Sequence, residues 1–295
     1  MLLHYDSVEE LVTAAERAGK NISDVVLRDQ AEQMEKPEAQ LCVRMAANLR
    51  VMKEAVANGL AAGLRSESGL SGGNAFRMKE AIEAGETVGG ATLDGAVMRA
   101  LAVAEVNACM GRIVAAPTAG SCGIIPGVLL TVMEEKAVPE EKAVMSLFTS
   151  AAIGMVIARR AYISGAEAGC QAECGSASAM AAAAVVEMCG GSPRMAAHAC
   201  AIALKNVLGL VCDPVAGLVE VPCVKRNAMG AANALTAATM AMAGIESVIP
   251  VDEVISAMKA VGDCMARSLK ETAEGGLATT PTGRSLAERI FGQDL

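Results

Sequence analysis

The chain has no tryptophan, two tyrosines and three phenylalanines in 295 residues. With no aromatic residues interleaved with a basic patch, and a net charge of −8, nucleic acid is excluded as a partner. Histidine is scarce too: His4 and His198 are the only two, and neither stands at metal-ligand spacing. The opening residues, Met1-Leu2-Leu3-His4-Tyr5-Asp6, lack both a basic start and a long apolar stretch, so no secretion signal is expected. The longest apolar run, 228–243, is alanine-rich and holds Asn233 and two threonines. It is too short and too weakly hydrophobic for a membrane span and reads as a buried helix. Strand-like alternation of Val, Ile, Tyr or Phe is rare, which argues against a sheet.

What the chain has in quantity is alanine, with 18 methionines and 29 glycines. Alanine is the best helix former and methionine fills irregular gaps, so closely packed helices with small contact residues are expected. The fold class is therefore all-α, a single compact helical domain over 1–295 with glycine-rich loops forming a site. Ser7-Val8-Glu9-Glu10 forms a capping box for a helix running to about Gly19, and a second helix is predicted from Ser23 to before Pro37. Leu41, Met45, Leu49, Met52, Val56 and Leu60 mark one face of a third. The glycine-rich stretch 66–74 is a loop. Further helices are expected over 91–110 and 128–136, from Pro139, from Ser192-Pro193 to about Gly209, and over 251–273, followed by a polar tail at 279–283.

Ten cysteines in such a chain point to reduced thiols and a cytoplasmic setting rather than disulfides. Cys42, Cys109, Cys189, Cys200 and Cys264 sit in apolar helical patterns and read as small buried hydrophobes. Cys122, Cys170, Cys174, Cys212 and Cys223 instead lie beside Gly or Pro, in segments expected to be irregular. Without histidine at metal spacing they favour iron–sulfur over a Cys/His zinc site, although spacing alone also admits zinc on four thiolates.

Three stretches carry a resemblance: 116–127, with Pro117-Thr118-Ala119-Gly120-Ser121; 164–183, with Gly165-Ala166-Glu167-Ala168-Gly169-Cys170-Gln171-Ala172-Glu173-Cys174-Gly175; and 212–223, with Asp213-Pro214-Val215-Ala216-Gly217. They closely resemble the α chain of bacterial iron–sulfur L-serine dehydratases, and the likeness extends from about Leu41 to Phe291. The resemblance implies a 4Fe–4S cluster on three cysteines. The family's ligand spacing, 42 and then 11, falls on Cys170, Cys212 and Cys223. Cys174 competes with Cys170. Three thiolates rather than four leave one iron open, which points to Lewis-acid chemistry. By the same resemblance, the turn Thr118, Ala119, Gly120, Ser121 holds the substrate carboxylate. A loop bearing Ser66 and Ser68 is placed to close over the site as further donors.

The implied reaction is deamination of L-serine to pyruvate and ammonia, as in amino-acid degradation and gluconeogenesis, by an oligomer with a separate β subunit. Some family members end in a cysteine that caps the open iron, whereas this chain ends Phe291-Gly292-Gln293-Asp294-Leu295. None of the ten lysines lies beside a phosphate-cradling glycine loop, which speaks against pyridoxal phosphate. Lys225, Arg226 and Asn227 read as charge balance for the cluster, as holders of a carboxylate, or as a helix start with exposed charges. His198 reads as a satisfied core histidine and His4 as solvated. The general base stays unassigned between a substrate alkoxide, Cys122 and a β-subunit group. The rival readings are an L-cysteine desulfidase of the same superfamily and a non-catalytic iron–sulfur or zinc scaffold.

Overall fold

In the computed structural model, which describes residues 4–292, thirteen α-helices and three short 3-10 turns follow one another, with no strand among the described residues. Residues 1–3 and 293–295, on which part of the leader and tail readings rest, lie outside that range. Ser7 accepts from the Glu10 N–H at 3.1 Å and opens α1 (Val8–Ala18), as its spacing predicts. The reciprocal half of the box is shifted, since Glu10 reaches the N–H of Asp6 instead. α2 (Ile22–Gln33) and α3 (Glu38–Gly59) follow, the latter starting straight after Pro37. A short α4 (Asn74–Glu83) leaves the glycine-rich loop, and buried Glu105 accepts from the N–H groups of Asn74 and Ala75 at its start.

Next come α5 (Gly90–Ala108), α6 (Ile124–Glu135) and α7 (Glu140–Arg160). α7 is long and apolar enough to cross a membrane, but it packs in the interior against α2 and α9, with 67% of its most apolar 18-residue stretch buried. After the single turn α8 (Gly165–Ala168) comes α9 (Cys170–Met188), the axis of the molecule. Every residue from Cys170 to Val186 is buried, with α6, α7, α10 and α11 packed around it. A helix enclosed on all faces needs small side chains, and alanines at 172, 177, 179 and 181–184 supply them. α10 (Pro193–Lys205), capped by Ser192, and α11 (Cys223–Met242) complete this shell. The 228–243 run thus lies in a helix, as expected.

The C-terminal part departs from expectation. α12 (Val251–Cys264) stops nine residues short of Ala273 because Met265 adopts extended backbone, φ −70° and ψ 132°. The chain then folds back through two 3-10 turns, Arg267–Leu269 and Gly276–Thr279. The presumed polar tail is the start of α13 (Pro281–Phe291), with Thr280 accepting from Gly283 N–H at 3.1 Å and Pro281 in the first turn. Ending at 264 also leaves Cys264 exposed rather than buried, and Cys42, Cys109 and Cys189 are half-buried; Cys200 alone of that group is fully buried.

Candidate metal centre

Gly169, at φ +75°, turns the chain out of α8 so that α9 begins at Cys170. A side chain at 169 would collide with Met265 and with the carbonyl of Leu210. Segment 209–212 is bound to the start of α9. Gly209 N–H donates to Gln171 Oε1 at 2.9 Å, and Gln171 N–H donates to the Leu210 carbonyl at 2.9 Å. Cys212 then pairs with 269–271: its N–H donates to Leu269 at 2.8 Å and its carbonyl accepts from Glu271 N–H at 2.8 Å. After a cis Val221–Pro222 peptide, α11 begins at Cys223.

Two of the three predicted ligands therefore open long helices, and Cys174 lies one turn inside α9; of the five cysteines expected in irregular backbone, Cys122 and Cys212 are so placed. The correction has chemical content. First-turn N–H groups lack intrahelical partners, and the positive end of the helix dipole favours anionic sulfur.

Cys170, Cys212 and Cys223 are 1%, 1% and 6% exposed. The sulfurs of Cys170 and Cys212 and the carboxylate of Glu173 all lie within 4.8 Å of one another. Cys223 borders this triad rather than joining it. Hydrogen bonds from the Cys174 and Cys212 thiols, together with the Arg226 guanidinium 3.4 Å away, hold Cys170 far below the usual thiol range, at about 3. Those same bonds push Cys174 and Cys212 up. Burial and the negative charges of Cys170 and Glu173 push Cys223 up to about 12. Arg226 is the countercharge, and it is fixed in place: Nη1 also donates to the Val211 carbonyl at 2.8 Å, and Nη2 pairs with Asp213 at 2.8 Å. Asp213 in turn accepts from Leu277 N–H at 2.8 Å. Lys225 beside it is exposed.

The predicted carboxylate turn stands against the same site. Following a cis Ala116–Pro117 peptide, Thr118 Oγ1 donates to Glu173 Oε1 and lies 3.3 Å from the Ser121 hydroxyl. A Cβ at Gly120 would stand 2.5 Å from that carboxylate, so glycine permits the approach. Ala119 is exposed and Ser121 fully buried. Buried Asn227 couples turn to thiol. Its Nδ2 donates to the carbonyls of Gly120 at 2.7 Å and Cys223 at 2.9 Å, and its Oδ1 accepts from Gly123 N–H at 2.8 Å. Glu173 is pushed up to about 7, chiefly by burial and against the Thr118 hydrogen bond, with the Cys170 charge adding to the rise.

Ser66 and Ser68 both turn to Glu220, three residues before Cys223. Their hydroxyls donate to its two carboxylate oxygens at 2.6 and 2.7 Å. Cys122 is buried, its thiol faces the Val103 carbonyl at 3.9 Å, and burial pushes it up to about 12. His198 accepts from Ser247 N–H at 3.3 Å as a half-buried structural residue, and His4 is exposed beside Asp29. Glu173, Asp213 and Glu220 carry no role in the sequence analysis, and Asn227, grouped there with Lys225 and Arg226, is buried rather than part of an exposed helix start. Helical spacing held a signal for two of them, since 170/173 and 223/227 share a helix face once helices are known to start at the cysteines.

An all-α chain with buried thiols, a guanidinium and a hydroxyl-bearing turn at two helix starts is the setting for the comparisons with known proteins. The family model described as "Serine dehydratase alpha chain" matches residues 17–278. The chain belongs to the serine dehydratase α-chain family. It is 53% identical over 288 residues to the "Probable L-serine dehydratase, alpha chain" of Bacillus subtilis (strain 168), covering 98% of this chain and 96% of that one. It is 43% identical over 281 residues to the "L-serine dehydratase, alpha chain" of Peptoniphilus asaccharolyticus, covering 95% and 96%. Against "L-serine dehydratase TdcG" of Escherichia coli (strain K12) it is 46% identical over 188 residues, 63% of this chain but 41% of that longer one.

Proposed function

We propose that the chain is the α subunit of an L-serine dehydratase, working with a separate β subunit in a reduced, cytoplasmic setting. It removes water from L-serine, and the aminoacrylate released tautomerises and hydrolyses to pyruvate and ammonia. Its relatives' names supply the substrate. The observation that carries the reading is the meeting of Cys170, Cys212 and Cys223 with the Thr118–Ser121 turn, joined by Asn227.

The residues fit a 4Fe–4S cluster held by those three cysteines. All three thiols are buried, and the guanidinium of Arg226 and two helix starts face their negative charge. Between the neighbours on α9, Cys170 is the ligand and Cys174 the bystander, because Arg226 addresses Cys170. When bound, the cluster supplies a Lewis acid for the departing hydroxyl at the iron that three thiolates leave open. The chain does the rest. Backbone N–H groups of the Thr118–Ser121 turn and the Ser121 hydroxyl hold the substrate carboxylate, the Thr118 hydroxyl being given to Glu173, and Asn227 keeps that turn in register with Cys223. Burial keeps water out of the thiol site, which strengthens each of these contacts.

One observation favours a second reading. The tightest donor set is Cys170, Glu173 and Cys212, and two thiolates with a carboxylate suit a single zinc ion. Anaerobic assay of the α–β complex with L-serine and with L-cysteine, alongside metal analysis, separates the possibilities. Pyruvate from serine on an iron-loaded protein is expected. Sulfide from cysteine with inert serine, or a zinc-loaded inactive protein, contradicts the proposal.

A further inference from the structure

The loop between α3 and α4 is strapped by two buried carboxylates. At its far end Glu105, fully buried in α5, accepts from the N–H groups of Gly72, Asn74 and Ala75 and from the Asn74 side chain. At its near end Glu220, 6% exposed, takes one serine hydroxyl on each oxygen, Ser66 at 2.6 Å and Ser68 at 2.7 Å. A hydroxyl has one proton to give. The other acceptors open to Ser66, the Ser71 carbonyl and the Ser68 oxygen, are both at 3.2 Å, so Glu220 is the preferred one. The lone pairs are engaged as well, since Ser71 N–H donates to Ser66 at 3.2 Å and Leu70 N–H to Ser68 at 3.0 Å. Both hydroxyls are thus committed to a carboxylate of the protein itself.

Glu220 stands three residues before Cys223, and its carbonyl accepts from Val224 N–H at 3.0 Å in the first turn of α11. The latch therefore joins the loop to the piece of chain that presents the third thiol. We propose that Glu220 is a positioning residue for the dehydratase reaction, and that Ser66 and Ser68 act through it rather than by touching substrate. This rests on the dehydratase reading above and on Cys223 as a ligand.

The test compares the anaerobic α–β complex as wild type, E220A, E220Q, S66A/S68A and the triple variant. Kinetics with L-serine are read beside amide hydrogen exchange over 66–72 and 219–224. E220A and S66A/S68A are each expected to lower kcat roughly tenfold while KM moves less than about twofold. The triple variant should be no worse than E220A, since one latch breaks only once. E220Q, which keeps an acceptor, should recover part of the loss. Exchange in both segments should quicken in E220A. A tenfold rise in KM when S66A/S68A is added to E220A would mean that the serines contact substrate, and overturns the proposal. So does unchanged exchange in E220A, and that readout holds even if the wild type turns over no serine, the outcome that defeats the dehydratase reading instead.

Discussion

At the residue scale, Glu173 joins the two halves of the site. Its carboxylate accepts from Thr118 and lies within 4.8 Å of the Cys170 and Cys212 sulfurs. Glu173→Gln keeps the size and an acceptor for Thr118 but loses the carboxylate. If the cluster rests on the three cysteines, the variant retains its iron while kcat falls about a hundredfold, the scale of a displaced substrate-binding turn, because Thr118 loses its charged partner. If Glu173 is a zinc ligand, it loses metal instead, and metal analysis of the purified variant decides. A second buried carboxylate gives a pH prediction away from the site. Glu187 on α9 accepts from Thr149 of α7 at 2.6 Å and from Ser23 N–H of α2 at 3.2 Å, and burial raises it above the ordinary carboxylate value. The folded chain then binds the proton more tightly than the unfolded one, so Glu187 costs stability as pH rises from about 4.5 through its raised value. Glu187→Gln removes that cost. Thermal midpoints should diverge in the variant's favour from acid to neutral pH; a constant difference contradicts the argument.

At the element scale, close approach of helix backbones shapes the core. A Cβ at Gly127 of α6 would lie 2.8 Å from the Ala96 carbonyl and 2.9 Å from Ala100 Cβ, both on α5. Gly→Ala in a helix normally gains about 1 kcal/mol, but forcing two backbones apart costs about 1–3. Gly127→Ala should therefore lower the urea midpoint by the equivalent of up to about 2 kcal/mol, whereas a rise would mean that the helices move apart freely. Elements of this kind were legible where one signal sufficed. Pro139, Ser192-Pro193 and the Leu41–Leu60 face located their helices to within a few residues. The misses have causes. α9 is buried all round and has no polar face for periodicity to reveal, so its glycine-flanked cysteines read as loop. α13 announced itself by Thr280-Pro281, a cap and first-turn pair obscured by the surrounding polar residues.

At the scale of the whole molecule, the site is a product of tertiary contact. The cysteines and the 118–121 turn carried signals in the chain, but the contacts that tie them together cross distances no local pattern records. Glu220 meets a loop 154 residues away, Asp213 a turn 64 away, and Asn227 a carbonyl 107 away. Composition located the fold class, and resemblance located the thiols. What joins them became visible only once α9, α11 and the 211–223 segment were placed together. The central claim is that these thiols hold an iron–sulfur cluster that works on serine. The most direct test is an iron and sulfide count on anaerobically purified protein, taken with serine turnover in the presence of a β subunit, before and after exposure to air. The account predicts roughly four iron and four sulfide per chain, pyruvate formation, and loss of iron and activity together in air. A zinc-loaded protein without sulfide, indifferent to oxygen, would contradict it.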